Sequence, residues 1–173
     1  MRKKIISVVC FLLAVFVSHG IAADSAPFFF LQLSDPQFGF MDNNKSISAE
    51  TEAMNKAVTA INQLKPPFVV ITGDFVNNSK SKEQIAAYKS MIAQIDSSVK
   101  VYMIPGNHDI GKVSRASIDN YKKNYGETHF SFRYGDCAFI GIDSNIIKEE
   151  DKEREEVQFK WLEHCLLYTS PSP

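Results

Sequence analysis

The stretch VYMIPGNHD, residues 101–109, decides how the chain is read. Its first four residues are β-branched, aromatic or otherwise apolar, the composition of a buried strand, and the run stops at Pro105-Gly106. Behind that stop stand Asn107, His108 and Asp109, side chains that bind cations or move protons. Two earlier segments repeat the layout. FFFLQLSDPQ, residues 28–37, sets Asp35 and Gln37 behind an apolar run, and FVVITGD, residues 68–74, sets Asp74 behind another. Three strands that each end in a liganding side chain predict a parallel sheet whose carboxyl edge carries one shared site.

The intervening segments read as helices. Met54, Ala57, Val58, Ile61 and Leu64 recur at helical spacing, with Ser48 as the expected N-cap and Lys65-Pro66-Pro67 as the stop. Ser81 and Gln84 make an expected capping box ahead of Ile85, Tyr88, Met91, Ile92 and Ile95. Strands are expected over 27–33, 68–72 and 99–104, and strand–helix–strand units of this size make neighbouring strands parallel. Beyond Asp109 a polar helix over 114–124 is expected, then a hairpin over 129–134 and 137–142 turning at Gly135-Asp136. The charged run 148–156 leads into Val157, Trp161 and Leu162 and reads as a solvated helix with one apolar side. His129 is read as a structural strand residue, and Asp143 as a turn or helix cap. The fold class is therefore α/β, a mostly parallel sheet with flanking helices plus a β-hairpin.

Both ends of the sequence read differently from its middle. Residues 1–23 begin with a basic tip, continue through an apolar run and finish in small residues, the pattern of a signal peptide; an uncleaved anchor is the alternative. Export to a periplasmic or extracellular location is expected, with no stable membrane span because the apolar run is short. Residues 165–173, CLLYTSPSP, resemble the translation of a sequencing-library adapter, so the native protein is expected to diverge there and continue. The domain is expected over 24–164. Loss of Arg2, Lys3 and Lys4 with the leader moves the formal charge from −1 to −4, which offers no electrostatic footprint for nucleic acid.

Asp35, Asp74 and Asn107 are oxygen donors suited to hard or borderline divalent cations. A carboxylate between two cations lowers their mutual repulsion, and Asp74 is the candidate for that bridge. Asn107 would bind a cation without adding negative charge. His108 would protonate a leaving alkoxide or stabilise phosphoryl charge, and Asp109 would orient its imidazole.

In that order, each behind a strand, Asp35, Gly73-Asp74 and Gly106-Asn107-His108-Asp109 resemble the first three motifs of the calcineurin-like metallophosphoesterase superfamily. The resemblance runs from about Phe28 to Leu162 and takes in Phe130-Ser131-Phe132, Ile142-Asp143-Ser144, Gln158 and Trp161-Leu162. It implies the N-terminal part of an αββα sandwich, two divalent metal ions (manganese, iron or zinc) and a phosphate-ester substrate. By the same resemblance Asp35 and Gln37 would bind the first metal, Asp74 would bridge, and Asn107 would bind the second. Asn107 and His108 would meet the phosphate, and a metal-bound hydroxide would attack a mono- or diester. Gln37 stands where the family's first motif usually has histidine. The family's later histidine motifs are missing: the four histidines are His19, His108, His129 and His164. Weak metal binding and little turnover are therefore expected of the chain as it stands. A non-catalytic phosphate- or metal-binding protein on the same scaffold is the alternative.

Overall fold

The structure is a computed structural model and describes residues 26–169. The expected signal peptide therefore lies outside the described residues. Strand β1 (Leu31–Ser34) leads to helix α1 (Ser48–Leu64), β2 (Phe68–Thr72), α2 (Lys82–Ile92) and β3 (Lys100–Ile104). A single helical turn, α3 (Asn107–Ile110), and α4 (Arg115–Tyr125) follow, then the hairpin β4 (Phe130–Tyr134) and β5 (Cys137–Gly141), and finally α5 (Ser144–Lys148) and α6 (Lys152–Thr169).

The three strands β1, β2 and β3 pair in that order and in parallel, as expected, and the hairpin forms a separate antiparallel pair. Central β2 reads Phe-Val-Val-Ile-Thr because both its faces are covered, the signature of a parallel strand. One face, carrying Val69 and Ile71, packs on Met54, Val58 and Ile61 of α1 and on Tyr88 of α2. Each such side chain contributes about 1.5–3 kcal/mol on burial. On the opposite face Phe68 meets Phe132 and Phe139 of the hairpin at ring-centroid distances of 4.9 and 4.8 Å, and Tyr102 stacks on Phe132. Helices thus cover one side of the sheet and an aromatic layer the other.

Several boundaries move from where the sequence set them. β1 begins at Leu31, because Phe28 and Phe30 leave the ladder to pack on Phe68 and Phe139. Ser48 is the first residue of α1, and the cap position belongs to Ile47, which makes no side-chain cap. Ser81 caps α2 through Gln84 N, yet the Gln84 amide turns away to Asn78 N and Asn44, so the box is half built. On α6 it is Gln158 that is buried while Val157 is 66% exposed, the reverse of the expected apolar side. Gln158 clamps the backbone of Asp143 by accepting from its N–H and donating to its carbonyl.

Asp143 caps α5, accepting from Asn145 N at 2.9 Å and from its amide at 2.8 Å, while its other oxygen is buried without a partner. Burial holds its carboxyl above the ordinary range, against the lowering effect of those bonds. Above the ordinary carboxylate pKa the folded state therefore binds more protons than the unfolded one, and stability falls as pH rises through that interval. Thermal melts should show the decline, and Asp143→Asn, which keeps the cap, should lessen it, leaving the part that the raised carboxyl of Asp109 contributes. An equally steep decline in that variant would remove Asp143 as its source.

No helix among the described residues is long and apolar enough to cross a membrane.

Candidate active site

The loops that leave β1, β2 and β3 meet at one edge of the sheet. Beyond the strands, β1 and β2 stay paired: Gln37 N donates to Asp74 O at 2.8 Å, Phe38 N to Phe75 O at 3.1 Å, and Asn77 N to Phe38 O at 3.0 Å. This second short parallel pairing brings the Asp35–Gln37 turn alongside Asp74. The backbone bends sharply there. Asp35, Gln37 and Asp74 have φ of 53°, 33° and 42°, in the left-handed region that side-chain-bearing residues seldom occupy. Such conformations cost about 1–3 kcal/mol each and persist only where their surroundings enforce them.

The β2 and β3 loops touch backbone to backbone. A Cβ on Gly73 would lie 2.7 Å from Gly106 N and Cα, and one on Gly106 would lie 2.1 Å from Asp74 Oδ1. Only glycine at both positions permits this approach. His108 N closes it by donating to Asp74 Oδ1 at 2.8 Å. Aromatic packing seats the loop from beneath, with Phe75 stacked on Tyr88 at 4.7 Å.

Asp109 ties the loops together. Only 1% exposed, it accepts at Oδ1 from Phe75 N (2.8 Å) and Val76 N (3.2 Å) and at Oδ2 from Gly106 N (2.9 Å). Burial pushes its carboxyl up to about 7; the three N–H donors pull the other way, and the charge of Asp74 adds to the rise. The expected pairing of Asp109 with the His108 imidazole gives way to this bracing. The ring instead meets Asn77 O through Nδ1 at 2.9 Å. With Nδ1–H donating to that carbonyl, Nε2 is the ring nitrogen left for chemistry.

Asn77 was not singled out from sequence, although it is the hub of the site. Its carbonyl holds His108, its Oδ1 accepts from Gln37 Nε2 at 3.3 Å, and its Nδ2 donates to Asn44 Oδ1 at 2.9 Å. The only signal was a polar residue three positions after Asp74. Gln37, expected as a ligand, thus has its amide nitrogen engaged by Asn77 and keeps Oε1 as its acceptor. Asp35 is exposed and accepts from the Ser34 hydroxyl; Asn107 is exposed at the start of α3.

Among the described residues no three His, Cys, Asp or Glu side chains gather into a metal-holding group. The set at the sheet edge is two carboxylates, Asp35 and Asp74, and two amides, Gln37 and Asn107. As hard oxygen donors they fit divalent cations in kind. In number they make up part of a coordination sphere.

Residues 30–168 match the family model of the calcineurin-like phosphoesterases. The chain is 31% identical over 158 residues to the serine/threonine-protein phosphatase CPPED1 of Pongo abelii, covering 81% of this chain and 50% of that protein. It is 30% identical over 119 residues to the probable glycerophosphodiester phosphodiesterase GpdQ of Arcobacter nitrofigilis, covering 66% of this chain and 42% of that one. The purple acid phosphatase PPD1 from yellow lupin seeds shares the fold with a TM-score of 0.50 at 15% identity, over 80% of this chain and 27% of that one. The chain spans about half the length of the curated relatives it matches. On the family match, which runs from the end of the Phe28–Phe30 segment into α6 and includes all three loops, the chain belongs to the calcineurin-like phosphoesterase family.

Proposed function

We propose that the protein is a divalent-metal-dependent hydrolase of phosphate esters. The observation that supports this reading is the meeting at one sheet edge of the three loops that bear Asp35, Asp74 and Asn107-His108, through the Gln37 N–Asp74 O bond, the Gly73–Gly106 contact and the His108 N–Asp74 bond. In this reading Asp35 and Gln37 would hold one cation, Asn107 a second, and Asp74 both. When bound, the cations supply positive charge to the phosphoryl oxygens and lower the pKa of water.

The chain's own groups do the rest. Asn107 adds a neutral oxygen, so an anionic phosphate is not repelled. His108, its Nδ1 occupied by Asn77 O, offers a proton at Nε2 to the departing alkoxide. Asp109 works at one remove, holding the β2 and β3 loops in register. The two relatives divide the substrate question: one is named as a serine/threonine-protein phosphatase and the other as a probable glycerophosphodiester phosphodiesterase.

A second reading, a binding protein without turnover, draws on the Gln37 amide being held by Asn77 where the family usually has a histidine ligand. The test uses the protein extended to the length of its curated relatives. Hydrolysis of p-nitrophenyl phosphate or its bis-ester should be abolished by EDTA and restored by manganese. Bound manganese with no hydrolysis of either compound would instead favour the binding protein.

A further inference from the structure

An open groove of about 1070 Å³ lies between α2 and α4. Its rim carries Lys80, Lys82, Lys89, Lys112 and Lys123, all exposed, and no acidic residue lines it. None of the five is paired with a carboxylate among the described residues, whereas neighbouring Arg115 and Lys122 have Asp119 and Glu127. The whole chain has a formal charge of −1, so this concentration of positive charge is local. Ile85, Ala86, Ile110 and Ala116 provide apolar contact surface within it.

The groove is walled in part by the chain segments that continue from two loops of the candidate site. Ile110 and Gly111 line it directly after His108 and Asp109, and Ser79 lines it two residues after Asn77. Asn120 of α4 donates to Ser79 O at 3.4 Å, tying the groove wall to the loop that holds the histidine.

We propose that the groove receives the acidic stretch beside the phosphorylated residue of a protein substrate, so that its lysines select which phosphoprotein reaches the site. The proposal rests on the phosphoesterase reading. Lys82 and Lys89 are seven residues apart on α2, about 10 Å along its axis, which an extended peptide crosses in about three residues. Lysines are point charges on flexible stems and accept carboxylates without a fixed register. The lining has no arginine for bidentate phosphate contacts and no aromatic ring on which a base would stack, which argues against nucleic acid. A concave groove with apolar contacts fits a peptide better than a flat membrane surface.

The test is fluorescence anisotropy of a fluorescein-labelled octapeptide of Asp and Glu, titrated with the whole chain. Binding should weaken steeply with salt and fall at least tenfold in Lys82→Glu/Lys89→Glu, which should gain affinity for a Lys-rich octapeptide. Both side chains are exposed; a glutamate at 82, in the first turn of α2, suits the helix dipole and offsets the one at 89, in the last turn, which opposes it, so the variant is expected to fold. Salt-insensitive binding by the unaltered chain, or undiminished affinity in the variant, would overturn the proposal. Equal or tighter binding of single-stranded DNA or phosphatidylserine vesicles would do the same. In the protein extended to its relatives' length, the double variant should lower kcat/KM about tenfold for an acidic phosphopeptide, through KM, and leave p-nitrophenyl phosphate hydrolysis unchanged. Failure of the phosphoesterase reading is read separately: aryl phosphate would not be hydrolysed although the peptide binds.

Discussion

Asp109→Ala is expected to lower the free energy of unfolding by about 4 kcal/mol, the largest stability loss of any single substitution at the site. The carboxylate is 1% exposed and accepts from three backbone N–H groups on two different loops. Removing it leaves the N–H groups of Phe75 and Val76, both buried, and that of half-buried Gly106 without their acceptor. Each orphaned donor costs about 1–3 kcal/mol, and the strained turn at Asp74 loses the brace that enforces it. Asn is the informative intermediate. Its oxygen retains the bonds from Phe75 and Val76, but its amide nitrogen sets a donor against Gly106 N, so about half the loss is expected. Urea unfolding followed by circular dichroism measures both. A loss below about 1 kcal/mol in the alanine variant would mean that the two loops hold their approach by glycine packing alone.

This double life of the Gly-Asn-His-Asp segment marks where sequence reading succeeds and where it stops. The strand ends were legible because an apolar run followed by Gly or Pro and a polar cluster is a local pattern, and register then carries the three ends to one edge. Roles within the cluster were not legible, because they depend on which way a side chain turns across the loops. Asp109 follows His108, and sequence adjacency alone makes it the expected partner; the turn of α3 carries it inward to the β2 loop, and the imidazole meets a main-chain carbonyl that no side-chain pattern announces. Asn77 was overlooked for the same reason, since half of what it does is done by its backbone. The short helices α3 and α5 were missed because four or five residues are too few to establish a period. On α6 a hydrophobic reading chose Val157 for the interior, whereas the fold needed an amide at Gln158 to satisfy both backbone groups of Asp143.

In the protein extended to the length of its relatives, His108→Ala is expected to reduce kcat by on the order of a hundredfold or more while leaving the fold intact. The reduction should depend on the leaving group. The departing oxygen of an alkyl phosphate such as phosphoserine needs a proton as the bond to phosphorus breaks, and Nε2 is the atom free to give it once Nδ1 is held by Asn77 O. p-Nitrophenolate is stable enough to depart unprotonated, so its ester should lose far less. If His108 instead acts by positive charge on the phosphoryl oxygens, both esters carry that charge and both should fall together. Asn77→Ala is the control, because it preserves the carbonyl that holds the ring and removes only the side-chain bonds to Gln37 and Asn44. Its leaving-group dependence should match that of the unaltered protein. A His108→Ala variant with unchanged turnover of the alkyl ester would remove the histidine from the chemistry altogether.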